Sequence, residues 1–251
     1  MIKLSVTLAV YNEEKFLGRC LDSIKDIADE IIVVDGKSMD KTTDIAKKYK
    51  AKIISTTNKV NFHINKKMAN DNASGEWILQ LDADEVVSPE LKKEIKEIIN
   101  SDPPENGFWV PRANFFLGRF LKKGGAYPDY TLRLYRKNFG NLPAKSVHEQ
   151  TVVEKPVGYL KNDLLHYSNR TFGEYIDKRF NRYSDLMAKE INGGMFIYFF
   201  WRPLFDPLQG FIPVYFRHLG FLDGFPGFIW ALFQALLFPI AYFKAHESKT
   251  N

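Results

Sequence analysis

Apolar residues along the first hundred positions of this chain fall into two alternating rhythms. Short, nearly unbroken apolar runs at 4–10 (LSVTLAV), 30–34 (EIIVV), 52–55 and 77–81 read as strands buried on both faces, because a strand with one wet face would alternate apolar and polar. Between them apolar positions recur at helical spacing. Phe16, Leu17, Cys20, Leu21, Ile24 and Ile27 mark a first helix with Asn12 as its candidate N-cap, and a second, opened by Gly36, Ser38 and Asp40, runs to about Tyr49. A third, basic helix carries Lys66 and Lys67. Strand and helix alternating through short loops predict a parallel sheet with right-handed crossovers, whose ligand crevice opens at the carboxyl ends of the strands. Tyr11, Asp35, Lys66, Asp82 and Asp84 fall on or near that rim.

Downstream the pattern loosens. Ser88 before Pro89 starts a helix with Leu91, Ile95, Ile98 and Ile99 on one face, and SDPPENG at 101–107 breaks it. That break separates a first half, 1–100, from a second half of the same domain, 101–192, with strand-like runs at 107–112, 131–136 and 151–154. Thr171 and Glu174 form a capping-box pair for a long amphipathic helix to about Ile191, its buried stripe expected at Ile176, Phe180, Tyr183 and Met187. Residues 193–251 form a third, hydrophobic region, and within it Gly227 to Phe243 holds no charged residue.

The segment WILQLDADE at 77–85 ends a buried strand in two carboxylates, Asp82 and Asp84. Hard oxygen ligands at such a place suit Mg²⁺ or Mn²⁺ bridging a diphosphate, although an acidic loop after a strand is by itself more often a solvated turn or a helix cap. Four ordered motifs weigh against the chance reading. AVYNEE at 9–14, VVDGKSMDKT at 33–42, the segment from Lys66 to ASGEW at 73–77, and LDADE at 81–85 together resemble glycosyltransferase family 2 and its GT-A fold. YPDYTLRLYR at 127–136, VHE at 147–149 and HYSNRT at 166–171 further resemble the bacterial subgroup of lipopolysaccharide-core glucosyltransferases.

The resemblance implies an α/β domain with a mostly parallel sheet between helices, its first half binding a nucleotide-sugar donor, UDP-linked, and its second an acceptor. It implies Asp84, with Asp82, as metal ligands; Tyr11, Asn12, Glu13, Asp35, Lys66 and Asp82 as donor contacts; and an inverting reaction with Asp129 as base. Glu149 is the alternative base, and Arg133, His148 and His166 are acceptor-side candidates. For Tyr11 and Asp35 the bland reading is loop packing and capping, for Lys66 a solvated helix face, and for Asp129 and Glu149 salt bridges to Arg133 or Arg136. A sugar-nucleotide nucleotidyltransferase would place a glycine-rich basic loop after the first strand where YNEE stands, and a non-catalytic membrane scaffold would not need both Asp82 and Asp84. No G-x-G-x-x-G follows an early strand, which disfavours a dehydrogenase.

Composition changes this picture at three points. The single cysteine, Cys20, excludes an internal disulfide and lies on the apolar face of the first helix. The first strand begins at Ile2 without a secretory pattern, so a cytoplasmic catalytic part is expected. The net charge of +5 suits an anionic membrane surface better than nucleic acid, for which no binding module is present. Trp201, Trp230, Tyr198 and Tyr242 suit the headgroup zone, and Arg202, Arg217, His218, Lys244 and Lys249 suit anionic lipid. Pro239 is expected to disturb a spanning helix, so an interfacial or shallowly embedded element at the cytoplasmic face of the membrane is favoured over a span or a buried or dimerising helix pair.

Overall fold

The computed structural model describes residues 3–59, 61–145, 150–168, 171–191 and 197–250. Its first elements follow the predicted alternation: β1 (Leu4–Val10), α1 (Leu17–Ile24), β2 (Glu30–Asp35), α2 (Thr42–Lys48), β3 (Lys52–Ser55), α3 (His63–Asp71) and β4 (Trp77–Leu81). These four strands are parallel, in the order β3-β2-β1-β4. After them come β5 (Glu85–Val87), α4 (Pro89–Ser101), β6 (Gly107–Phe116), β7 (Arg119–Phe120), β8 (Asp129–Arg136), β9 (Gly140–Asn141), β10 (Val152–Val153), β11 (Val157–Tyr159) and β12 (Leu164–His166). Beyond β4 the sheet turns mixed, continuing through β8, β6, β12 and β5, with β8 antiparallel to β4 and β12 antiparallel to β5. Two compact units result, Met1–Arg112 with Asp129–His166, and Ala113–Pro128 with Tyr167–Asn251.

In the first unit the unbroken apolar runs have a direct cause. Alternate residues of β2 serve opposite faces: Val33 packs into a core with Leu17, Leu21 and Ile24 of α1, while Ile32 and Val34 pack into another with Ala69 of α3. Both faces are covered, so neither register position tolerates a polar side chain. Burial of each such aliphatic side chain contributes about 1.5–3 kcal/mol. Cys20 belongs to the α1 face and is fully buried. A buried polar chain ties α3 to the sheet: Thr7 Oγ1 donates to Asn70 Oδ1 (2.7 Å) and Asn70 Nδ2 to Gln80 Oε1 (2.8 Å). It fixes the helix that carries Lys66.

The ends of elements correct one sequence expectation and meet another. Asn12 does not cap α1, which begins only at Leu17; its φ of 55° is left-handed, and its side-chain oxygen accepts from the Met39 amide (2.8 Å). A short polar side chain tolerates that backbone region, and its oxygen serves the neighbouring loop. Ser88 does cap α4, accepting from the Leu91 amide at 3.1 Å.

The second unit is helical: α5 (Phe172–Ile176), α6 (Ser184–Glu190), α7 (Ile197–Ile212) and α8 (Gly224–Thr250). Thr171 Oγ1 accepts from the Glu174 amide, as the capping pair predicts. Between α5 and α6 the backbone widens into a π-helical stretch, Asp177–Tyr183, and this rotates the predicted stripe. Tyr183 is exposed, whereas Tyr175 and Ser184 are buried. Pro239 does not break α8, which runs through it, its Ala231, Ala235 and Ala241 buried. Trp230 packs against Phe116 and Tyr175, and its indole donates to the Gly124 carbonyl (3.2 Å). Lys244 spends its charge on Asp185 at 2.6 Å. The side chains of Tyr198, Trp201, Arg202 and Lys249 lie outside the described residues. Among the described residues one helical stretch, Gly220–Glu247, is long and apolar enough to cross a membrane.

Candidate active site

At the carboxyl ends of β1 and β4 the first unit opens a cavity of about 380 Å³. It is lined by Tyr11 and Glu13 from the loop after β1, by Asn58, Phe62, Asn65 and Lys66 before and within α3, by Asp82, Ala83 and Asp84 after β4, and by His166 at the end of β12. The loop after β1 is stiff. The Asn12 amide donates to Ser38 Oγ (2.9 Å), the Glu13 amide to Thr42 Oγ1 (2.7 Å), and the Glu14 amide to Asp40 (3.1 Å), so the loops after β1 and β2 are stitched into one rim. Asp35 lies below that rim, almost fully buried, and both its oxygens accept from the Ser38 amide. It is not among the cavity-lining residues.

The two carboxylates of the acidic loop have different partners. Asp82 is ion-paired to Lys66 through one oxygen and to Arg133 (2.6 Å) through the other. Burial alone would push its carboxyl up, but the Arg133 guanidinium and the Lys66 ammonium outweigh it and hold Asp82 well below the usual carboxylate range. Lys66 is therefore no solvated lysine, being 8% exposed with its ammonium 5.1 Å from the centre of the Phe62 ring. Asp84 faces one imidazole, His166 Nε2 standing 3.5 Å from its Oδ2. Burial opposes ionisation here too, and the imidazole beside it more than compensates, so Asp84 also lies below the ordinary range.

Behind the loop runs an alternating row of charges. Glu85, fully buried, accepts from Arg133 (2.7 Å) and, at 3.5 Å, from Arg112, while its other oxygen accepts from the Asp82 amide (2.9 Å). Arg112 in turn grips Asp129 through Nε (3.0 Å) and Nη2 (2.6 Å). The row Lys66, Asp82, Arg133, Glu85, Arg112, Asp129 thus holds three cations and three carboxylates. Arg133, expected on the acceptor side, lies 5% exposed behind Asp82, and Asp129 is salt-bridged to Arg112 instead of the expected Arg133 or Arg136. His148 and Glu149 lie outside the described residues.

Sequence reasoning missed Glu85, Arg112, Asn58, Phe62 and Asn65. Asn65 is 4% exposed, its Nδ2 donating to the Thr57 carbonyl (3.1 Å) while its buried Oδ1 meets no partner. An acceptor left so beside a cavity suits a hydroxyl or N–H of a bound molecule. His166 was expected on the acceptor side, and its strand instead sets it against Asp84. Carboxylate and imidazole fit a divalent ion that completes its coordination with phosphate oxygens and water. Among the described residues no three His, Cys, Asp or Glu side chains stand together as a metal cage.

Comparison with known proteins identifies the family of the chain. The family described as glycosyl transferase family 2 matches residues 5–151. An "uncharacterized glycosyltransferase" of Rickettsia typhi is 30% identical over 97% of this chain and 85% of its own length. The lipopolysaccharide core biosynthesis glycosyltransferase LpsC of Rhizobium meliloti is 29% identical over 94% of this chain and 88% of its own. Among solved structures, the mannosyltransferase PcManGT of Pyrobaculum calidifontis, in complex with GDP-Man and Mn²⁺, superposes with a TM-score of 0.56 at 14% identity, covering 99% of this chain and 88% of that one. S. aureus TarS in complex with UDP-GlcNAc gives 0.52 at 18% identity, covering 99% and 92%. Both are likenesses of fold.

Proposed function

The chain belongs to glycosyltransferase family 2, and from that premise we propose that it is an inverting enzyme moving a hexosyl unit from a UDP-sugar to a glycan or lipid-linked acceptor of the cell envelope. The observation that carries the reading is the Asp84–His166 pair on the cavity wall, next to an Asp82 whose charge Lys66 and Arg133 already meet. The nucleotide-sugars held by TarS and PcManGT support a donor of that class, and the LpsC relative supports an envelope acceptor.

Transfer of a sugar from a nucleoside diphosphate needs charge stabilised on the leaving diphosphate, a proton taken from the acceptor hydroxyl, and the two reactants aligned. Asp84 and His166 would hold Mg²⁺ or Mn²⁺, which would supply Lewis-acid neutralisation of the charge on the leaving diphosphate. Asp82, fixed by its two cations, offers carboxylate oxygens to the ribose side of the donor, and Tyr11 and Glu13 form the nucleoside end of the cavity, with Asn12 and Asp35 bracing the rim through the Met39 and Ser38 amides. Lys66 adds positive potential beside the phosphates. Asp129, oriented by Arg112, takes the acceptor hydroxyl's proton as that oxygen attacks the anomeric carbon from the face opposite the diphosphate, so the bond to the leaving phosphate oxygen breaks with inversion. The second unit holds the enzyme at the cytoplasmic face of the membrane, where a lipid-linked acceptor presents its sugar.

Incubation of the purified protein with a panel of UDP- and GDP-sugars, with Mn²⁺, Mg²⁺ or EDTA, tests this. Release of UDP from one donor, abolished by EDTA, is expected. Turnover untouched by the chelator, or nucleotidyl transfer in place of glycosyl transfer, sinks the reading.

A further inference from the structure

The densest group of exposed apolar side chains in the second unit lies where α7 leads into α8, while Phe172, Tyr183, Leu186, Phe238 and Phe243 are exposed singly elsewhere. Phe216, Leu219, Phe221, Leu222 and Phe225 lie within ten residues of chain at the junction of α7 and α8, and each is 40–69% exposed. Phe205, Leu208 and Ile212, also about half exposed, lead to that junction at intervals of three and four, so they form one line along the outer face of α7. The middle of α8 is different. Its small residues face inward: Ala231 and Ala241 are fully buried, and a Cβ at Gly210 of α7 would stand 2.9 Å from the Ala235 Cα. The apolar run 227–243 is therefore partly consumed in helix packing, whereas the junction is not.

A basic loop stands beside the junction. The amides of Lys122 and Lys123 both donate to Asp223 (3.0 and 2.8 Å), and the Gly124 amide donates to the His218 carbonyl (2.9 Å), which fixes the loop against the start of α8. Arg119, Lys122, Lys123 and Arg217 are all exposed there. The carboxylate at the same place, Asp223, is 2% exposed and turned inward onto the loop, where it also meets the Arg119 guanidinium at 3.5 Å, so the net positive charge of the collar comes from Lys122, Lys123 and Arg217. The solvent side of the junction thus presents bulky apolar groups collared by cations.

We propose that this junction, together with the outer stripe of α7, is the surface by which the protein docks on an anionic bilayer: the aromatic and aliphatic tips enter the acyl boundary while Lys122, Lys123 and Arg217 meet anionic headgroups. The proposal rests on the membrane reading given above and names the part of the chain that performs it. Charge decides the occupant. A second copy placed on the junction would bring cationic collar against cationic collar, whereas phosphatidylglycerol-type headgroups complement it. Shallow insertion also suits a ridge whose flank carries lysines and arginines, because an interfacial element keeps its charged face in water.

Flotation of the full-length protein with vesicles of phosphatidylethanolamine and phosphatidylglycerol, against phosphatidylcholine alone, is the test. The wild type should float with the anionic vesicles, and Leu222→Ser with Phe225→Ser should weaken partitioning by about a hundredfold, roughly tenfold for each apolar side chain withheld from lipid. Both side chains are exposed, and retained UDP binding shows that the variant is folded. Lys122→Gln with Lys123→Gln should weaken binding at low salt and have little effect at high salt. Cys20 is the chain's one cysteine and is fully buried, so Leu222→Cys can be labelled with an environment-sensitive dye; its emission should shift to the blue on anionic vesicles, and a dye at Phe243→Cys should not respond. A wild type that floats together with a Leu222→Ser, Phe225→Ser variant that floats equally well overturns the junction and leaves the membrane reading intact. A folded wild type that never floats overturns both. A dimer in solution that the same pair of substitutions dissolves assigns the junction to a second copy and overturns the proposal.

Discussion

Asp84 stands 3.5 Å from His166, a neighbour brought to it by strand pairing: β12 runs antiparallel to β5 with His166 opposite Glu85, one residue beyond Asp84. The pairing register therefore decides whether the acidic loop has its second donor. A slip of one residue in β12 would turn the imidazole to the other face of the sheet.

The first prediction concerns this pair. Asp84→Asn should lower turnover by about a thousandfold, several kcal/mol of transition-state stabilisation, and His166→Ala by roughly ten- to a hundredfold, since a single weaker donor is lost. Calorimetry of UDP binding with and without Mn²⁺ separates the roles. In both variants the enhancement of UDP binding by Mn²⁺ should fall while metal-free binding persists. Wild-type Mn²⁺ dependence in His166→Ala would return that residue to the acceptor side.

A second prediction follows from the grip of Arg112 on Asp129, held through Nε and Nη2. Asp129→Asn should abolish turnover and leave UDP and metal binding near normal, because proton removal is confined to the transition state. Arg112→Lys should keep a charge but lose the fork, so kcat falls about tenfold or more with little change in the KM for donor. A donor KM that rises while kcat holds would show that Arg112 serves the donor cavity instead.

The four parallel strands were legible because each is a local signal: a run such as EIIVV must be covered on both faces, and helical spacing lies between successive runs. Asp82 and Asp84 were legible for the same reason, standing at the abrupt end of such a run. Glu85 was hidden in the same motif, since nothing local says that it turns inward to Arg133 and Arg112, 48 and 27 residues away. Arg133 was misplaced for the complementary reason: an arginine on a strand reads as exposed until the buried carboxylates it neutralises are known. The stripe of the helix after Thr171 failed at Tyr183 because the π-helical stretch changes the period partway along, and the sequence carries no separate mark of it.

The third prediction uses the depressed ionisation of Asp82. Its folded-state value is held below the unfolded one by Arg133 and Lys66, so its contribution to stability is present above the unfolded value, near pH 4, and is lost as pH falls through the folded value. Urea unfolding of wild type and Asp82→Asn over a pH series should show the largest difference above about pH 5, shrinking as both proteins are taken toward about pH 2. A difference that stays constant over that range would mean that Asp82 stabilises by packing or hydrogen bonding alone.

Within the second unit, Asp223 anchors the loop after β7. It is 2% exposed, accepts from the Lys122 and Lys123 amides, and lies 3.5 Å from the Arg119 guanidinium. Removing the carboxylate leaves two backbone donors without an acceptor and frees the arginine. Each lost buried acceptor of this kind costs about 1–3 kcal/mol. Asp223→Ala should therefore destabilise the protein by about 2–4 kcal/mol, and Asp223→Asn by less, because the amide oxygen can still accept. Hydrogen exchange gives the local reading: the Lys122 and Lys123 amides should lose protection in Asp223→Ala while those of β1 and β4 keep theirs. If the two amides stay protected, other contacts hold the loop, and the placement of its lysines beside the α7–α8 junction does not depend on Asp223.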